Sequence, residues 1–471
     1  MSRPFLTSLA LAAALFVGGC ATLVPQLPKV DAQTQAAWPL LPTAATHATE
    51  PAAAASSTAT AADIGWREFF VDPQLEELIA RALANNRDLR VAVLNVERAR
   101  AQYRIQRADR LPSLGASATL ERSGGDIPLE QTYTAGIGLA AFELDLFGRV
   151  RNLSHAALQA YLAQEETRRA AQLSLIAEVA NAYLTLAADQ ESRQLAEATL
   201  AAYETSLELA ERRHATGAAS ALDVSQMRTQ VEAARTDAAR YAGLVAQDTN
   251  ALSLLVGAPV EASLLPSGLS GPVTGLAALP AGLPSDVLLR RPDVRAAEHQ
   301  LLAANANIGA ARAAFFPSIT LTGSIGSASN ELSGLFDSGT RVWSFVPSIN
   351  LPIFQGGRLR AGLGMAKADR DIALAQYERA IQAGFREVAD ALALTTTLAQ
   401  QRQSQQALVA AATRTDTLSK ARYQAGRDSY LTQLDAQRTL YAAQSGMVAV
   451  KLAEQANRVA LYRVLGGGWN E

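Results

Sequence analysis

Two hydrophobic periods alternate along this chain, and they take turns in the same order twice. From Asp72-Pro73 the apolar positions fall at helical spacing (Leu75, Leu78, Ile79, Ala82, Leu83, then Leu89 to Ile105), and Pro112 closes the run. Strict alternation follows. Leu114, Ala116, Ala118 and Leu120 interleave with Ser113, Gly115, Ser117, Thr119 and Glu121, and Tyr133, Ala135, Ile137 and Leu139 oppose Thr132, Thr134, Gly136 and Gly138. The second half repeats the order: a helical stretch from Ser285-Asp286 to Phe316 ends at Pro317. Ile319, Leu321, Gly323 and Ile325 then alternate with Ser318, Thr320, Thr322 and Ser324, and Trp343, Phe345, Pro347 and Ile349 alternate with Ser344, Val346, Ser348 and Asn350. Each strand pair leads into a long proline-free helix, about 150–215 and about 359–424, which at 1.5 Å per residue is ~100 Å long. Returning helices carry a heptad seam. Val224, Val231, Ala238, Val245 and Leu252 recur every seven residues, with Met227, Ala234, Tyr241 and Leu255 three further on. The later copy has Leu440, Met447 and Leu461 with Ala436, Ala443, Val450 and Val464.

The two halves keep their spacing closely enough to be a duplication. Asp88 stands 24 residues before Pro112 and Asp293 stands 24 before Pro317; Arg149 and Arg358 each precede a lone glycine, Gly217 or Gly426, by 68, and each of those precedes Gly257 or Gly466 by 40. A unit of two strands and three helices is too narrow to bury its own faces, so the duplication predicts an assembly of many such units. A hairpin pair packed on a soluble core would show the same alternation in its strands. The strand length of about 9–11 residues and a second face of Gly, Ser and Thr favour strands that cross a bilayer, apolar side out and wet side in. Four strands cannot close a barrel, for which about eight is the practical minimum, so closure requires other copies of the chain. The narrow, Ala-rich seams and the polar remainder of the long helices suit helices that touch a neighbour on each flank and face water on both other sides.

Composition sets the address. Arg3, the apolar run Leu9 to Val17 and Val17-Gly18-Gly19-Cys20 read as a secretory signal ending at a small-residue site. Cys20 is the only cysteine, so neither a disulfide framework nor a thiolate metal site is available. Val-Gly-Gly-Cys resembles a bacterial lipobox, which implies lipidation of Cys20, and Ala21 after it implies delivery to the outer membrane; the alternative is an incidental cysteine in an ordinary signal peptide. Beyond residue 19 no run reaches the 18 or so apolar residues of a spanning helix. Lys and Arg total 42 against 44 Asp and Glu, which leaves no basic excess for nucleic acid. The expected domains are a signal peptide at 1–19 and a lipidated cysteine with a flexible Ala/Thr/Pro/Ser tether at 20–62, with order beginning near Trp66. A first repeat at 63–257 has strands at about 113–121 and 132–147 and helices at about 72–110, 150–215 and 220–256. A collar connector at 258–284 and a second repeat at 285–466 follow, the latter with strands at about 318–327 and 341–353 and helices at about 286–314, 359–424 and 430–465; a tail occupies 467–471.

Longer motifs carry a family likeness. The stretch from Leu283 through Arg290-Arg291-Pro292-Asp293-Val294-Arg295 to Glu298, Ile308 to Arg312 and Phe315-Phe316-Pro317-Ser318 resembles the TolC-like outer-membrane factors, in particular their NodT/OprM-type lipoprotein branch. So do Asp145 to Arg149, Leu351 to Phe354 with Gly357-Arg358, and Tyr430 to Arg438. The resemblance covers about residues 60–467. It implies an α+β membrane protein: a homotrimer whose strand pairs form a 12-stranded outer-membrane barrel continuous with a periplasmic barrel of 12 helices. It also implies the role of exit duct in a tripartite pump, with a periplasmic adaptor and an RND-type inner-membrane transporter as partners. By the same resemblance the periplasmic mouth is constricted around Leu431, Asp435 and Arg438, with Asp223 and Tyr423 a linking pair and Gly217 and Gly426 at the hairpin tips.

Each assignment has a plainer reading beside it. Glycine at a helix reversal supplies a left-handed residue. Ser220 to Asp223 also reads as a capping box, compatible with a gate role for Asp223. Tyr423 fits interhelical packing equally well, and Asp435 with Arg438 fits a solvated surface pair. Three copies of Asp435 in a narrow aqueous path would favour cations. His47, His155, His214 and His299 are dispersed without metal-binding spacing, and phosphate loops are missing. Gly136-Ile137-Gly138-Leu139-Ala140-Ala141 matches a loose dinucleotide fingerprint but sits inside a strand. The expectation is a passive duct for small molecules, not an enzyme, needing no cofactor. The alternatives are the same duct serving an ATP-driven protein or peptide secretion system, and a structural coiled-coil lipoprotein without a pore.

Overall fold

The computed structural model describes residues 23–32, 64–126, 130–269, 271 and 285–467; the signal peptide, Cys20, residues 33–63 and the end of the tail lie outside them. After a single helical turn at Trp66–Phe69 come α1 (Pro73–Asn85), α2 (Arg87–Ala108), β1 (Leu114–Ser123), β2 (Glu130–Leu144), α3 (Arg149–Ala215) and α4 (Ala221–Val256). The second half supplies α5 (Pro292–Ala313), β3 (Ser318–Ser329), β4 (Arg341–Asn350), α6 (Arg358–Gln424) and α7 (Tyr430–Val464). The chain divides into two compact units. One comprises the described part of Met1–Ala32, Leu94–Glu166 and Arg295–Ala380; the other comprises the described part of Gln33–Val93, Thr167–Val294 and Ile381–Glu471.

The first unit holds one antiparallel sheet in the order β1-β2-β3-β4. Its two halves meet at β2 and β3, so the duplicated hairpins lie side by side, and among the described residues β1 and β4 each have one neighbour only. The register shifts between Leu139 and Phe142, where Ala141 takes φ 44° and its N–H donates to Thr322 Oγ1 at 3.3 Å. Such a bulge bends the strand and strengthens its twist. A second device lies further along the same pair: Gly136 faces Gly326, and a Cβ on Gly326 would lie 2.2 Å from the Ala135 carbonyl oxygen. The backbones approach too closely there for any side chain. At the base of the sheet Asp145 accepts from the N–H groups of Val150 and Arg151 and so starts α3.

The second unit is built on an aromatic and aliphatic core. Trp66, Phe69 and Phe70 pack with Leu75, Leu78 and Ile79 of α1 against Ile176, Tyr183 and Leu184 of α3, Leu252 of α4 and Tyr462 of α7. Phe69 stacks on Tyr462 at 3.9 Å, and the Tyr462 hydroxyl donates to the Ile64 carbonyl at 2.7 Å. Asp72 caps α1 through Gln74 N–H and Leu75 N–H, with Pro73 in the first turn, and Tyr183 donates to the same carboxylate. The helix expected over 72–110 is broken at Asn86. Its Oδ1 accepts from Leu89 N–H, starting α2, while Nδ2 donates to the Leu255 carbonyl, so one amide caps one helix and ties it to α4. Arg291 explains part of the long family motif. Its buried guanidinium grips both Asp293 oxygens (3.0 and 2.7 Å), Glu387 (2.9 Å) and the Val464 carbonyl (3.0 Å), joining α5, α6 and α7. Burial raises the Asp293 carboxyl, but Arg291 outweighs it and holds that carboxyl below the usual range.

Residues 23–32 correct an expectation. They were expected within a flexible tether running to residue 62, but they lie along α5 and α6, because α5 donates from Asn305 and Arg312 to their carbonyls.

Candidate functional site

Within the sheet, directly paired residues share a face, and the pairs sort by polarity except on β4, where Val342 pairs with Gly326 and Val346 with Thr322 among the polar positions. On one face Ala116, Ile137, Ile325 and Trp343 form a row across all four strands; Leu114, Leu139 and Phe345 form the next, with Gly323 between the last two. Beyond the bulge Leu144, Ile319 and Ile349 continue it. Trp343 and Leu114 are each 76% exposed and Ile349 71%, so a broad apolar face is bare. The other face carries Ser117, Thr119, Thr132, Thr134, Thr320, Ser324, Ser344 and Ser348 around the small residues Gly115, Gly136, Gly138 and Gly326. Thr119 bonds Thr134, and Ser324 bonds Ser344 at 2.8 Å. An apolar face matched to hydrocarbon, a hydroxyl face matched to water and two open edges are what a segment of barrel wall requires. At the helical end of the polar face, Glu143 is paired to Arg149 (Nε to Oε1, 2.9 Å).

In the second unit the two hairpin tips have the same geometry. Gly217 (φ 75°) donates to His214 O while Ala218 donates to Arg213 O; Gly426 (φ 68°) donates to Tyr423 O while Arg427 donates to Arg422 O. Both are paired 5→2 and 6→1 closures in which glycine adopts the left-handed conformation. The residues named for the mouth fall on one stripe of α7: Leu431 is 60% exposed, and Thr432, Asp435, Arg438 and Thr439 are exposed with it. The opposite side of the helix is packed, Tyr430 and Leu434 lying against Ala210 and Met227. No ion pair joins Asp435 to Arg438 among the described residues. The Arg438 charge is instead felt at the buried Tyr203 hydroxyl of α3; burial raises that hydroxyl, with Asp416 adding to the rise and Arg438 opposing it.

Asp223 and Tyr423 are not brought together by a hydrogen bond. Asp223 closes a complete capping box, accepting from Ser220 N–H at 3.2 Å and Oγ–H at 2.8 Å while its own N–H donates back to Ser220 Oγ. Tyr423 lies 5.7 Å from the Tyr430 ring and 5.7 Å beneath the Arg213 guanidinium. Three further groups lie outside the residues assigned to the mouth from the sequence. Arg422 forks both oxygens of Asp428 (2.6 and 2.9 Å) across the second tip, which holds that carboxyl below its usual range. Asp416 is half-buried, its Oδ1 shielded and unpartnered, and burial raises its carboxyl against the pull of Lys420. Asp248 occupies the seam position between Tyr241 and Leu255; its Oδ2 meets no donor, and burial together with the neighbouring Asp189 pushes its carboxyl up to about 6. An acid interrupting a heptad of apolar residues was the available signal for it.

Among the described residues no group of three or more His, Cys, Asp or Glu is placed to hold a metal, and no helix is long and apolar enough to cross a membrane.

The family model for the outer membrane efflux protein matches residues 78–258 and 283–467. The antibiotic efflux pump outer membrane protein ArpC of Pseudomonas putida is 48% identical over 471 residues, covering 98% of this chain and 96% of its own. The outer membrane protein OprJ of Pseudomonas aeruginosa is 43% identical over 479 residues, covering 100% of this chain and 98% of its own. The crystal structure of the open state of the Neisseria gonorrhoeae MtrE outer membrane channel superposes with a TM-score of 0.85 at 39% identity, over 95% of this chain and 99% of that one. With a two-faced sheet open at both edges, twin helical hairpins and a family match over nearly the whole described chain, this protein belongs to the outer membrane efflux protein family.

Proposed function

We propose that three copies of this chain form a passive outer-membrane duct, the exit of a tripartite pump that carries small toxic molecules to the exterior. The observation that carries the reading is the four-stranded sheet with one hydrocarbon-matched face, one hydroxyl face and two unpaired edges. Edge β4 of one copy pairs with edge β1 of the next, a head-to-tail contact that closes as a ring. Three copies supply twelve strands, enough for a barrel with an open lumen, and twelve long helices from α3, α4, α6 and α7 for the periplasmic tunnel. Cys20 carries a lipid anchor. Leu431, Asp435 and Arg438 line the periplasmic constriction, and Asp435 gives it a preference for cations. Relatives named for antibiotic and for toluene efflux support small-molecule cargo. Energy comes from a proton-driven inner-membrane transporter coupled through a periplasmic adaptor.

In-cell crosslinking followed by mass spectrometry of the purified complex tests the assignment. Recovery of an adaptor with a proton-driven transporter is expected; an adaptor with an ATPase would move the reading to protein or peptide secretion. Intact mass of the mature chain tests the anchor: wild type carries acyl mass on Cys20 and Cys20→Ala does not.

A further inference from the structure

The first described residues after Cys20 form a strap seated in a made-to-fit groove. Leu23, Val24 and Pro25 are half-buried; Asn305 Nδ2 donates to the Pro25 carbonyl at 2.9 Å and Arg312 Nη1 to the Leu23 carbonyl at 3.1 Å. Further along, Asp31 N–H donates to Glu378 Oε1 of α6 at 3.1 Å. A notch in α5 admits the strap, since a Cβ on Gly309 would lie 2.7 Å from Val24 Cγ2 and 2.5 Å from Asn152 Nδ2. Asn305 precedes Arg312 by two helical turns, so the strap runs antiparallel to α5. Followed toward its N-terminus, it heads for the end of α5, where Phe315 and Phe316 precede β3.

That end carries a cavity of about 320 Å³ whose wall is apolar at Phe315, Pro352, Ile353, Phe354 and Leu359 and polar at Gln355 and Arg360. Ile353 is 92% exposed and Phe354 88%, far barer than large apolar side chains in a folded chain ordinarily are. Three residue steps separate Leu23 from Cys20, a reach of about 10 Å when extended. We propose that this cavity and its apolar lip receive acyl chains of the lipid on Cys20, so that the strap fixes the anchor at the helix–strand junction. The inference rests on the lipid-anchor reading of Cys20. Arg360 suits the ester oxygens of the anchor, and the aromatic rings suit the boundary between headgroups and hydrocarbon.

The test uses the full-length protein in cells fed a diazirine-bearing fatty acid, irradiated before purification and digestion. The expected product is the N-terminal lipopeptide joined to a peptide containing Phe315 or Ile353-Phe354. Ile353→Ser combined with Phe354→Ser should abolish the link to Phe315 while leaving the lipid mass on Cys20 unchanged. A lipidated wild-type chain whose crosslinks go only to bulk lipid, or whose link to Phe315 survives the double substitution, would overturn the proposal and leave the anchor reading intact. An unlipidated mature chain would overturn both.

Discussion

At the residue scale, two positions show how little room this molecule leaves. Gly326 lies with its absent Cβ 2.2 Å from the Ala135 carbonyl oxygen, whereas Gly115, on the same face of the sheet, has nothing within 4 Å. Gly326→Ala must therefore part β2 from β3, at a cost of about 2–4 kcal/mol by the strain it imposes, while Gly115→Ala should be near neutral. Heat-modifiable migration of protein extracted from the outer membrane reads the folded fraction of each. Asp248 gives the opposite kind of effect. Its carboxyl titrates at about 6 in the fold and at about 4 when unfolded, so the native state binds the extra proton between those values and stability falls as pH rises through them. Solvent screening at a half-buried site limits the loss to about 1–2 kcal/mol. Asp248→Asn should raise the melting temperature at pH 7.5 and leave it nearly unchanged at pH 4.5; equal shifts at both would show that the carboxylate pair is not the cause. The seam made Asp248 visible in principle, but its partner Asp189 stands on another helix, and no spacing along one chain reveals a pair formed across two.

At the scale of elements, the helical hairpins owe their sharp reversals to a few groups at each tip. Ser220→Ala removes one half of the capping box and should cost about 1 kcal/mol locally, seen as faster hydrogen exchange in the first turn of α4. Asp223→Ala should match it and Tyr423→Phe should not, because the Tyr423 hydroxyl makes no hydrogen bond to Asp223 within the chain; matched effects of all three would favour a direct link. At the other tip, the Arg422–Asp428 fork contributes stability above the ordinary carboxylate range, and this is lost as pH falls through the depressed value of Asp428. Protection factors at residues 425–431, taken relative to the intrinsic exchange rate at each pH, should therefore fall at acid pH in wild type and be already low in Asp428→Asn. Strand alternation, the duplicated spacing and the reversal glycines were legible in the sequence because each is a local period or a local backbone demand. The break at Asn86 was not, since it depends on the Leu255 carbonyl 169 residues away. Nor was the seating of Leu23 and Pro25, whose partners on α5 are 280 or more residues distant.

At the scale of the whole molecule, a sheet with two different bare edges and one bare apolar face is an incomplete object, and completing it gives a ring with a wet interior. The mouth residues Leu431, Asp435 and Arg438 entered through family likeness; what the chain itself adds is that they share one exposed stripe of α7 while the reverse side is packed. Whether that stripe lines an aqueous path is the central claim. Single-channel recording of the purified trimer in a planar bilayer, under a salt gradient, tests it most directly. Discrete conductance with a reversal potential favouring cations is predicted, and Asp435→Ala should shift that potential toward zero and raise basal current. Folded trimers that pass no current would contradict the duct, and an unchanged reversal potential in Asp435→Ala would remove Asp435 from its wall.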